Sequence, residues 1–281
     1  MRPRALVVGL AAALLFAGCS AGASEAPPDL LKVVTDAGKL RVSTDPQYPP
    51  QSELKPDGSY EGFDIDVANA IAEGLGVEIE FSTPSWDTIT AGSWGGRWDL
   101  SVGSMTITVP REEVLVFSSA YYFTPAQMAA STASGITTID GLAGETICVG
   151  EATTYLDWLN GTLDVVSETP MTDPPEGAEA VTQTTDRLCA ENWKAGRTDW
   201  AGWLSSSSTV QDAIDDGLPL VAVGDPVYTE PLAAAADKGG PDPTALIARV
   251  TEIIDGMHGD GSLSALSEEW FGVDLTMTAG G

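Results

Sequence analysis

Residues 102–122 read VGSMTITVPREEVLVFSSAYY and hold one arginine, Arg111, close to the hydroxyl side chains of Ser104 and Thr106. Arginine and lysine together number 13 in the chain, against 41 aspartates and glutamates, so a basic residue among hydroxyl groups is informative. A guanidinium offers a planar fork of N–H donors that fits a carboxylate. Local chemistry leaves two interpretations open: a bound carboxylate, or a surface arginine paired with one of the two glutamates that follow it.

Two further segments connect this stretch to a known family. Residues 62–75 (GFDIDVANAIAEGL) follow a Gly-aromatic-acid-aliphatic-acid-aliphatic pattern, and residues 260–275 (DGSLSALSEEWFGVDL) form a matching C-terminal segment. Together with residues 102–122 they resemble family 3 of the bacterial extracellular solute-binding proteins, the amino-acid receptors of ABC importers. The resemblance extends over nearly all of the chain after its N-terminal segment and favours the carboxylate-binding interpretation of Arg111.

The resemblance implies an α/β fold of two lobes, the type II periplasmic-binding-protein-like fold, with two mixed sheets flanked by helices and a two-strand hinge. The first lobe is expected from residues 29–124 and 228–281, and the second lobe from residues 125–227. A ligand would bridge the lobes and would stabilise the closed state by binding it more tightly than the open state.

The N-terminus carries an export signal. Residues 1–18 contain two arginines followed by an apolar run, which is the pattern of a secretory signal peptide. Residues 15–19 (LFAGC) resemble a bacterial lipobox, which implies cleavage before Cys19 and lipidation of that cysteine. An ordinary signal peptide with a chance cysteine is the alternative. Residues 19–28 would be the lipidated cysteine and a flexible tether, so we expect an extracytoplasmic protein anchored to the cell membrane by lipid.

The cysteines agree with export. The chain has three of them, Cys19, Cys148 and Cys189. If Cys19 is lipidated, an even pair remains in an oxidising compartment. We therefore predict a disulfide between Cys148 and Cys189, with two buried thiols as the alternative.

The family resemblance also assigns ligand contacts. Arg111 would bind a carboxylate with the hydroxyl groups near it, and two aromatic side chains would form walls of the pocket. The expected ligand-binding residues are Asp45, Tyr48, Trp86, Ser104, Thr106, Arg111, Thr153, Thr154 and Trp203. Asp45 follows a predicted strand, where ligands bind in α/β sheets, but it also fits a turn residue that caps its own backbone. Trp86 has a second interpretation as a core residue.

One feature of the family pattern is missing. Family members that bind α-amino acids normally place an aspartate five residues beyond the Asp of a Gly-x-x-Asp-Ala strand, where it binds the ligand ammonium. Counting from Asp199 leads to Leu204. An unpaired ammonium in a closed cleft is costly. Either Asp45 or Glu151 takes this role, Trp203 supplies a cation–π face, or the ligand is not an α-amino acid. A small shift of the alignment would also account for it.

Composition and motifs disfavour several other functions. The formal net charge of −28 opposes binding to nucleic acid. The single histidine, His258, lies far from the pocket segments, and the sequence carries no metal-ligand or phosphate-loop motif, so we expect no metal and no cofactor.

We therefore predict a monomeric, non-enzymatic solute-binding lipoprotein that docks on the membrane subunits of an ABC importer. Its ligand would be a small carboxylate-bearing solute, with a polar or basic amino acid favoured. The alternatives are an enzyme resembling cyclohexadienyl or arogenate dehydratase on the same fold, and a receptor for a solute that is not an amino acid.

Overall fold

The structure is a computed structural model that describes residues 27–166 and 170–277. The predicted signal peptide (residues 1–18), the lipobox with Cys19, and most of the predicted tether lie outside the described residues. The lipidation of Cys19 therefore stays a prediction. Within the described ranges, no helix combines the length and the apolar character that a membrane crossing requires.

Helices and strands alternate along most of the described chain, as the predicted fold class requires. The helices are α1 (Leu30–Ala37), α2 (Phe63–Leu75), α3 (Trp86–Thr90), α4 (Val109–Val114), α5 (Thr154–Leu159), α6 (Leu188–Lys194), α7 (Ser207–Asp215), α8 (Thr244–Asp260) and α9 (Ser262–Phe271), with a 3₁₀ turn at Ile139–Leu142. The strands are β1 (Lys39–Ser43), β2 (Gln47–Tyr48), β3 (Ser52–Leu54), β4 (Tyr60–Glu61), β5 (Glu78–Ser82), β6 (Leu100–Thr106), β7 (Leu115–Ser131), β8 (Thr146–Gly150), β9 (Glu179–Gln183), β10 (Gly202–Ser206), β11 (Leu220–Ala222) and β12 (Tyr228–Asp237).

Helix α2 shows how the sequence fixes both a helix and its entry. Val67 and Ile71 recur at helical spacing and are fully buried, which places one face of the helix on the core. Gly62, just before the helix, has a φ of +131°, and a Cβ there would lie 2.2 Å from the backbone oxygen of Gln51. Only glycine fits this position without strain. The close approach also brings Gln51 beside the start of the helix.

The main sheet has the strand order β5-β1-β6-β12-β7-β10-β8-β9, with β11 paired to β7. Strand β1 is parallel to β5 and β6, and β8 is parallel to β9 and β10. Strands β12 and β7 run antiparallel to each other and to β6 and β10, their outer partners in this order. Because ligands bind beyond the carboxyl ends of parallel strands, the loops after β1, β6, β8 and β9 are the expected binding loops.

Strands β7 and β12 run from one lobe into the other. Strand β7 is 17 residues long and pairs with β12 from Leu115 opposite Asp237 to Ala126 opposite Tyr228. The sequence suggested two separate mixed sheets. The structure joins them into one hydrogen-bonded sheet, because both crossing segments keep strand geometry. These two strands correspond to the predicted hinge.

Separate apolar cores lie on the two sides of the crossing. One core packs α2 and α8 against the first part of the sheet and includes Phe63 and Val250. Another lies under α5 and includes Trp158 and Leu204. The cores support two lobes, whereas the boundaries at residues 124/125 and 227/228 remain a prediction.

The predicted disulfide is confirmed. Cys148 on β8 is bonded to Cys189 on α6, with their Cα atoms 5.7 Å apart. Both residues are fully buried in a third core that also contains Trp203. The bond therefore fixes α6 to the sheet inside the second lobe.

Candidate functional site

A cavity lies between the two lobes, at the carboxyl ends of the parallel strands. It encloses about 470 Å³, including the space open to solvent. From the first lobe it is lined by six of the predicted ligand-binding residues: Asp45, Tyr48, Trp86, Ser104, Thr106 and Arg111. From the second lobe it is lined by Thr153 and Thr154. The structure therefore brings eight of the nine predicted residues to one cavity.

Arg111 lies on α4, and backbone carbonyls from both lobes hold its guanidinium. Nη1 donates to the carbonyl oxygen of Thr106 at 3.0 Å, and Nη2 donates to that of Ala152 at 3.1 Å. The residue is only 8% exposed, and its Cζ atom lies 5.7 Å from the centre of the Trp86 ring. Burial excludes the interpretation of Arg111 as a surface arginine paired with a neighbouring glutamate.

The charge of Arg111 has no internal partner in the described part of the chain. No carboxylate there lies within 4.0 Å of its guanidinium nitrogens. Burial lowers the pKa of the guanidinium, an effect that the nearby Glu230 carboxylate opposes. A guanidinium nevertheless stays protonated at neutral pH and has five N–H donors, of which the two carbonyls use only part. The arrangement can therefore accept an anionic group from a ligand.

The hydroxyl groups beside Arg111 are already engaged. Ser104 has a left-handed φ of 55°, and its Oγ donates to Oδ2 of Asp64 at 2.7 Å. The Thr106 hydroxyl donates to Oε1 of Glu230 at 2.7 Å. In this structure the loop therefore presents the guanidinium to the cavity, while buried carboxyl groups orient the hydroxyls that sequence analysis assigned to the ligand.

The second lobe contributes the loop between β8 and α5. The hydroxyl of Thr153 donates to the carbonyl oxygen of Gly150 at 2.8 Å and accepts from the N–H of Leu156 at 3.3 Å. Thr153 is therefore the N-cap of α5. The hydroxyl of Thr154 donates to Oε1 of Glu230. Both threonines line the cavity, and their side chains also fix this loop.

The aromatic residues differ in how they meet the cavity. Tyr48 and Trp86 line it as predicted, with Trp86 at the start of the short helix α3. Trp203 does not line it, because its ring is fully buried in the core around the disulfide. The indole N–H of Trp203 donates to Oδ1 of Asp186 at 3.2 Å. The structure thus does not support a cation–π contact between Trp203 and a ligand, and Trp203 reaches the cavity only through Asp186.

Two acids stand on opposite walls of the cavity. Asp45, from the loop after β1, accepts a hydrogen bond from the N–H of Gln47 at 2.8 Å, so it is both a turn residue and a cavity residue. Burial raises its pKa to about 6. Asp186, from the loop after β9, accepts from the N–H of Gly150 at 3.2 Å. Burial raises the pKa of Asp186 to about 7, and the charge of Asp45 adds to the effect.

Sequence reasoning missed Asp186 and Glu230. Glu230 stands in the strand sequence YTEPLAAAAD, and an isolated acid before an apolar run is a signal that sequence analysis overlooked. Asp186 comes directly before a short helix, where an acid is ordinary and carries no such signal. Glu151, one of the suggested ammonium partners, lines the cavity but is exposed, and Leu204 is fully buried in a core.

The lobes also touch around the rim of the cavity. Gln51 of the first lobe donates through Nε2 to the hydroxyl oxygens of Ser206 at 3.1 Å and Ser208 at 2.8 Å. Its Oε1 accepts from the hydroxyl of Thr209 at 3.1 Å. On another side of the rim, the N–H of Val109 donates to the carbonyl oxygen of Asp164 at 3.0 Å. These contacts join residues of both lobes, as expected for a closed arrangement.

Comparison with known proteins agrees with this architecture. The profile described as "Bacterial extracellular solute-binding proteins, family 3" matches residues 40–273. The L-cystine-binding protein TcyJ of Escherichia coli (strain K12) is 30% identical over 277 residues, which cover 97% of each chain. Cyclohexadienyl dehydratase of Pseudomonas aeruginosa is 33% identical over 118 residues, or 42% of this chain and 43% of the enzyme.

Solved structures give the same fold. The crystal structure of the ancestral amino-acid-binding protein AncCDT-1, described as a precursor of cyclohexadienyl dehydratase, superposes with a TM-score of 0.72 at 27% identity. The match covers 86% of this chain and 99% of that one. The fold is the type II periplasmic-binding-protein fold expected from the sequence.

Proposed function

Because the chain belongs to family 3 of the bacterial extracellular solute-binding proteins, we propose that its ligand is an amino acid whose carboxylate binds Arg111. The protein is a solute-binding component of an ABC importer. The single observation that carries the proposal is the buried guanidinium of Arg111, which faces the cavity and forms no ion pair with a described carboxylate. A bidentate carboxylate would satisfy both the charge and the free N–H groups.

The acidic residues of the cavity restrict the class of ligand further. Asp186 is buried and Asp45 is half-buried; both line the cavity, and the charge of Asp45 makes Asp186 harder to ionise. A cationic group between them would relieve this repulsion and would compensate the burial of both carboxylates. The ligand we favour is therefore a polar or basic amino acid, and the relatives named for L-cystine and L-arginine binding are compatible with this choice.

The setting of the protein follows from the same proposal. Export by residues 1–18, lipid attachment at Cys19 and the tether to residue 28 would hold the receptor at the outer face of the cell membrane. As a monomer, it would present the closed, liganded lobes to the importer's membrane subunits. The lobe boundaries at residues 124/125 and 227/228 belong to this proposal. It assigns no catalytic role to the cavity.

One enzymatic candidate has an observation in its favour. Carboxyl groups whose pKa is about 6 or 7, as at Asp45 and Asp186, retain protons near neutral pH and suit a general acid that expels water from a bound substrate. The partial match to cyclohexadienyl dehydratase points in the same direction. Under this alternative, Arg111 would hold a substrate carboxylate while an acid protonates the hydroxyl, which leaves as water as a second substrate carboxylate departs as carbon dioxide.

Thermal unfolding of the purified chain lacking residues 1–19 separates these functions. We expect a rise in Tm with arginine, lysine, histidine, glutamine or cystine, because a ligand stabilises the folded state according to the ratio of its concentration to Kd. Glycine betaine and putrescine, which lack either the primary ammonium or the carboxylate, are the matched controls and should give no rise. A rise with the controls alone would contradict an amino-acid ligand. Turnover of prephenate or arogenate would establish the enzyme instead.

A further inference from the structure

Glu230 is a carboxylate inside the hinge. It lies on β12, directly opposite Thr124 of β7, at the point where both strands cross between the lobes. The residue is only 2% exposed, and it lines the cavity. A buried acid needs a compensating partner, because burial penalises its charged form. Burial accordingly raises the pKa of Glu230 above its ordinary value.

Each lobe supplies one donor to this carboxylate. The hydroxyl of Thr106, at the end of β6, donates to Oε1 at 2.7 Å, and the hydroxyl of Thr154, at the start of α5, donates to the same oxygen. Both hydrogen bonds end on Oε1, and the nearby phenol of Tyr155 also lowers the pKa of Glu230. A carboxylate has about four lone-pair sites, so it can still accept from a further donor. The two hydroxyls orient the carboxylate without neutralising it.

Among the acids of the described chain, Glu230 also has the strongest electrostatic effect on Arg111, the expected carboxylate-binding residue. After burial, its charge is the largest influence on the pKa of Arg111. Both residues share Thr106, whose carbonyl accepts from Arg111 at 3.0 Å while its hydroxyl donates to Glu230. They are nevertheless not an ion pair, since their charged atoms lie more than 4.0 Å apart. An anion site and a cation site held side by side suit the carboxylate and ammonium that share one carbon in an α-amino acid.

The other cavity acids do not offer this arrangement. Asp45 acts on the pKa of Asp186 rather than on that of Arg111, which responds first to Glu230 among acids. Leu204, the position where the family pattern predicts an acid, is buried in an apolar core. Two threonine hydroxyls alone are weak compensation for a buried charge, since glutamine would accept the same hydrogen bonds at lower desolvation cost.

We propose that Glu230 binds the α-ammonium of the ligand, so that the hinge strand supplies the acid that is missing at position 204. The inference rests on the proposed function, because it presumes an amino acid whose carboxylate binds Arg111. It also makes Glu230 the residue that distinguishes α-amino acids from carboxylates without an α-ammonium. Asp45 and Asp186 would then serve the cationic side chain rather than the α-ammonium.

The test compares matched ligand pairs on matched variants. Isothermal titration calorimetry would measure the affinity of L-lysine against 6-aminohexanoate, and of L-arginine against 5-guanidinopentanoate, each analogue lacking only the α-ammonium. We expect the wild-type protein to prefer the amino acid by about 100-fold or more, the cost of leaving a buried carboxylate unpaired. Glu230→Gln, which keeps an acceptor for both threonines, should reduce that preference to less than about tenfold. Asp186→Asn should weaken both members of a pair equally and preserve the preference.

Each outcome decides the proposal. An equal loss of affinity for the amino acid and its analogue in Glu230→Gln would make Glu230 a structural hinge residue and would overturn the inference alone. Wild-type protein that binds no amino acid would overturn the proposed function as well. If Glu230→Gln does not fold, Glu230→Asp replaces it, because the shorter carboxylate retracts from the ammonium. A preference that falls in Glu230→Asp supports the inference, and an unchanged preference refutes it.

Discussion

The hydroxyl groups of Tyr48 and Tyr155 meet across the cavity at 3.0 Å, one from each lobe. Both side chains are buried, and burial raises the pKa of each phenol above its ordinary value. Neutral phenols on facing walls can therefore touch without repulsion, whereas Asp45 and Asp186 on the same walls repel each other once both are ionised. We infer that the hydrogen bond between the two tyrosines stabilises closure of the lobes. Repulsion between the two ionised aspartates opposes closure until a cationic ligand group binds between them.

Arg111→Ala should abolish amino-acid binding and leave the ligand-free fold stable. The guanidinium is buried without an ion pair in the described chain, so its loss removes a desolvation cost together with two hydrogen bonds to carbonyls. We expect at least about a 100-fold loss of affinity by calorimetry, with little change in Tm.

Arg187→Ala is the contrasting variant. Arg187 is equally buried but is paired with Asp212 at 2.5 Å and with Asp216 at 2.6 Å. Because both aspartates are partly exposed, removal of Arg187 should cost about 1.5 to 3 kcal/mol of folding free energy. Arg111→Ala with unchanged affinity would contradict the assignment of the carboxylate site.

Gln51→Ala should weaken binding by favouring the open state. Gln51 makes three hydrogen bonds to second-lobe side chains. At about 0.5–1.5 kcal/mol each, their loss should reduce affinity by about tenfold or more. Stopped-flow fluorescence should place most of the change in the dissociation rate. Gln211→Ala is the control, since that exposed glutamine bonds only within α7. Equal dissociation rates in the two variants would exclude a role for Gln51 in closure.

Loss of the disulfide should destabilise the second lobe. The bond closes a loop between residues 41 positions apart. For such a loop, the chain-entropy argument gives about 4 kcal/mol. We expect Cys148→Ala with Cys189→Ala to lower Tm by about 10 °C, measured by differential scanning calorimetry, and a reductant to lower the Tm of the wild-type protein but not of the double variant. A Tm equal to that of the oxidised wild type would refute this expectation.

Stability of the ligand-free protein should fall as the pH rises. Burial raises the pKa of Asp45 to about 6 and those of Asp64 and Asp186 to about 7, from an ordinary value of 3.8. The folded chain therefore holds these protons more tightly than the unfolded chain. The resulting stabilisation is fully present below about pH 4 and is lost as the pH passes through about 6 to 7.

Asp186→Asn isolates this effect from the general repulsion of an acidic surface. Thermal melts between about pH 5 and pH 8 should show a smaller loss of Tm in the variant than in the wild-type protein. Parallel curves for the two proteins would show that Asp186 ionises in the folded state as easily as in the unfolded state.

The sequence allowed prediction of those parts of the site that lie close together in the chain. Ser104, Thr106 and Arg111 belong to one strand and the helix after it, so their proximity follows from local geometry. The disulfide followed from counting cysteines in an exported chain. The proximity of these three residues depends on short-range structure, and the disulfide depends on elimination. Neither inference requires knowledge of how the lobes pack.

The contributions that depend on packing were not accessible in the same way. Glu230 reaches the cavity only because β12 returns between β6 and β7, a pairing that the sequence does not display. The prediction that Trp203 contacts the ligand was wrong. A tryptophan on a strand can face either the cleft or the core, and Trp203 packs in the core around the disulfide. The hydroxyls of Thr106 and Thr154 were assigned to the ligand, since their internal partner comes from a strand far along the chain.

The antiparallel ladder of β7 and β12 restricts how the protein can move. The strands can bend together, but a slip of one strand by a single residue would turn Glu230 to the opposite face of the sheet. Translation along the ladder is thereby opposed, and we expect the lobes to open by rotation about the two strands. A single distance between two spin labels, one on each lobe, would then report the full course of opening and closing.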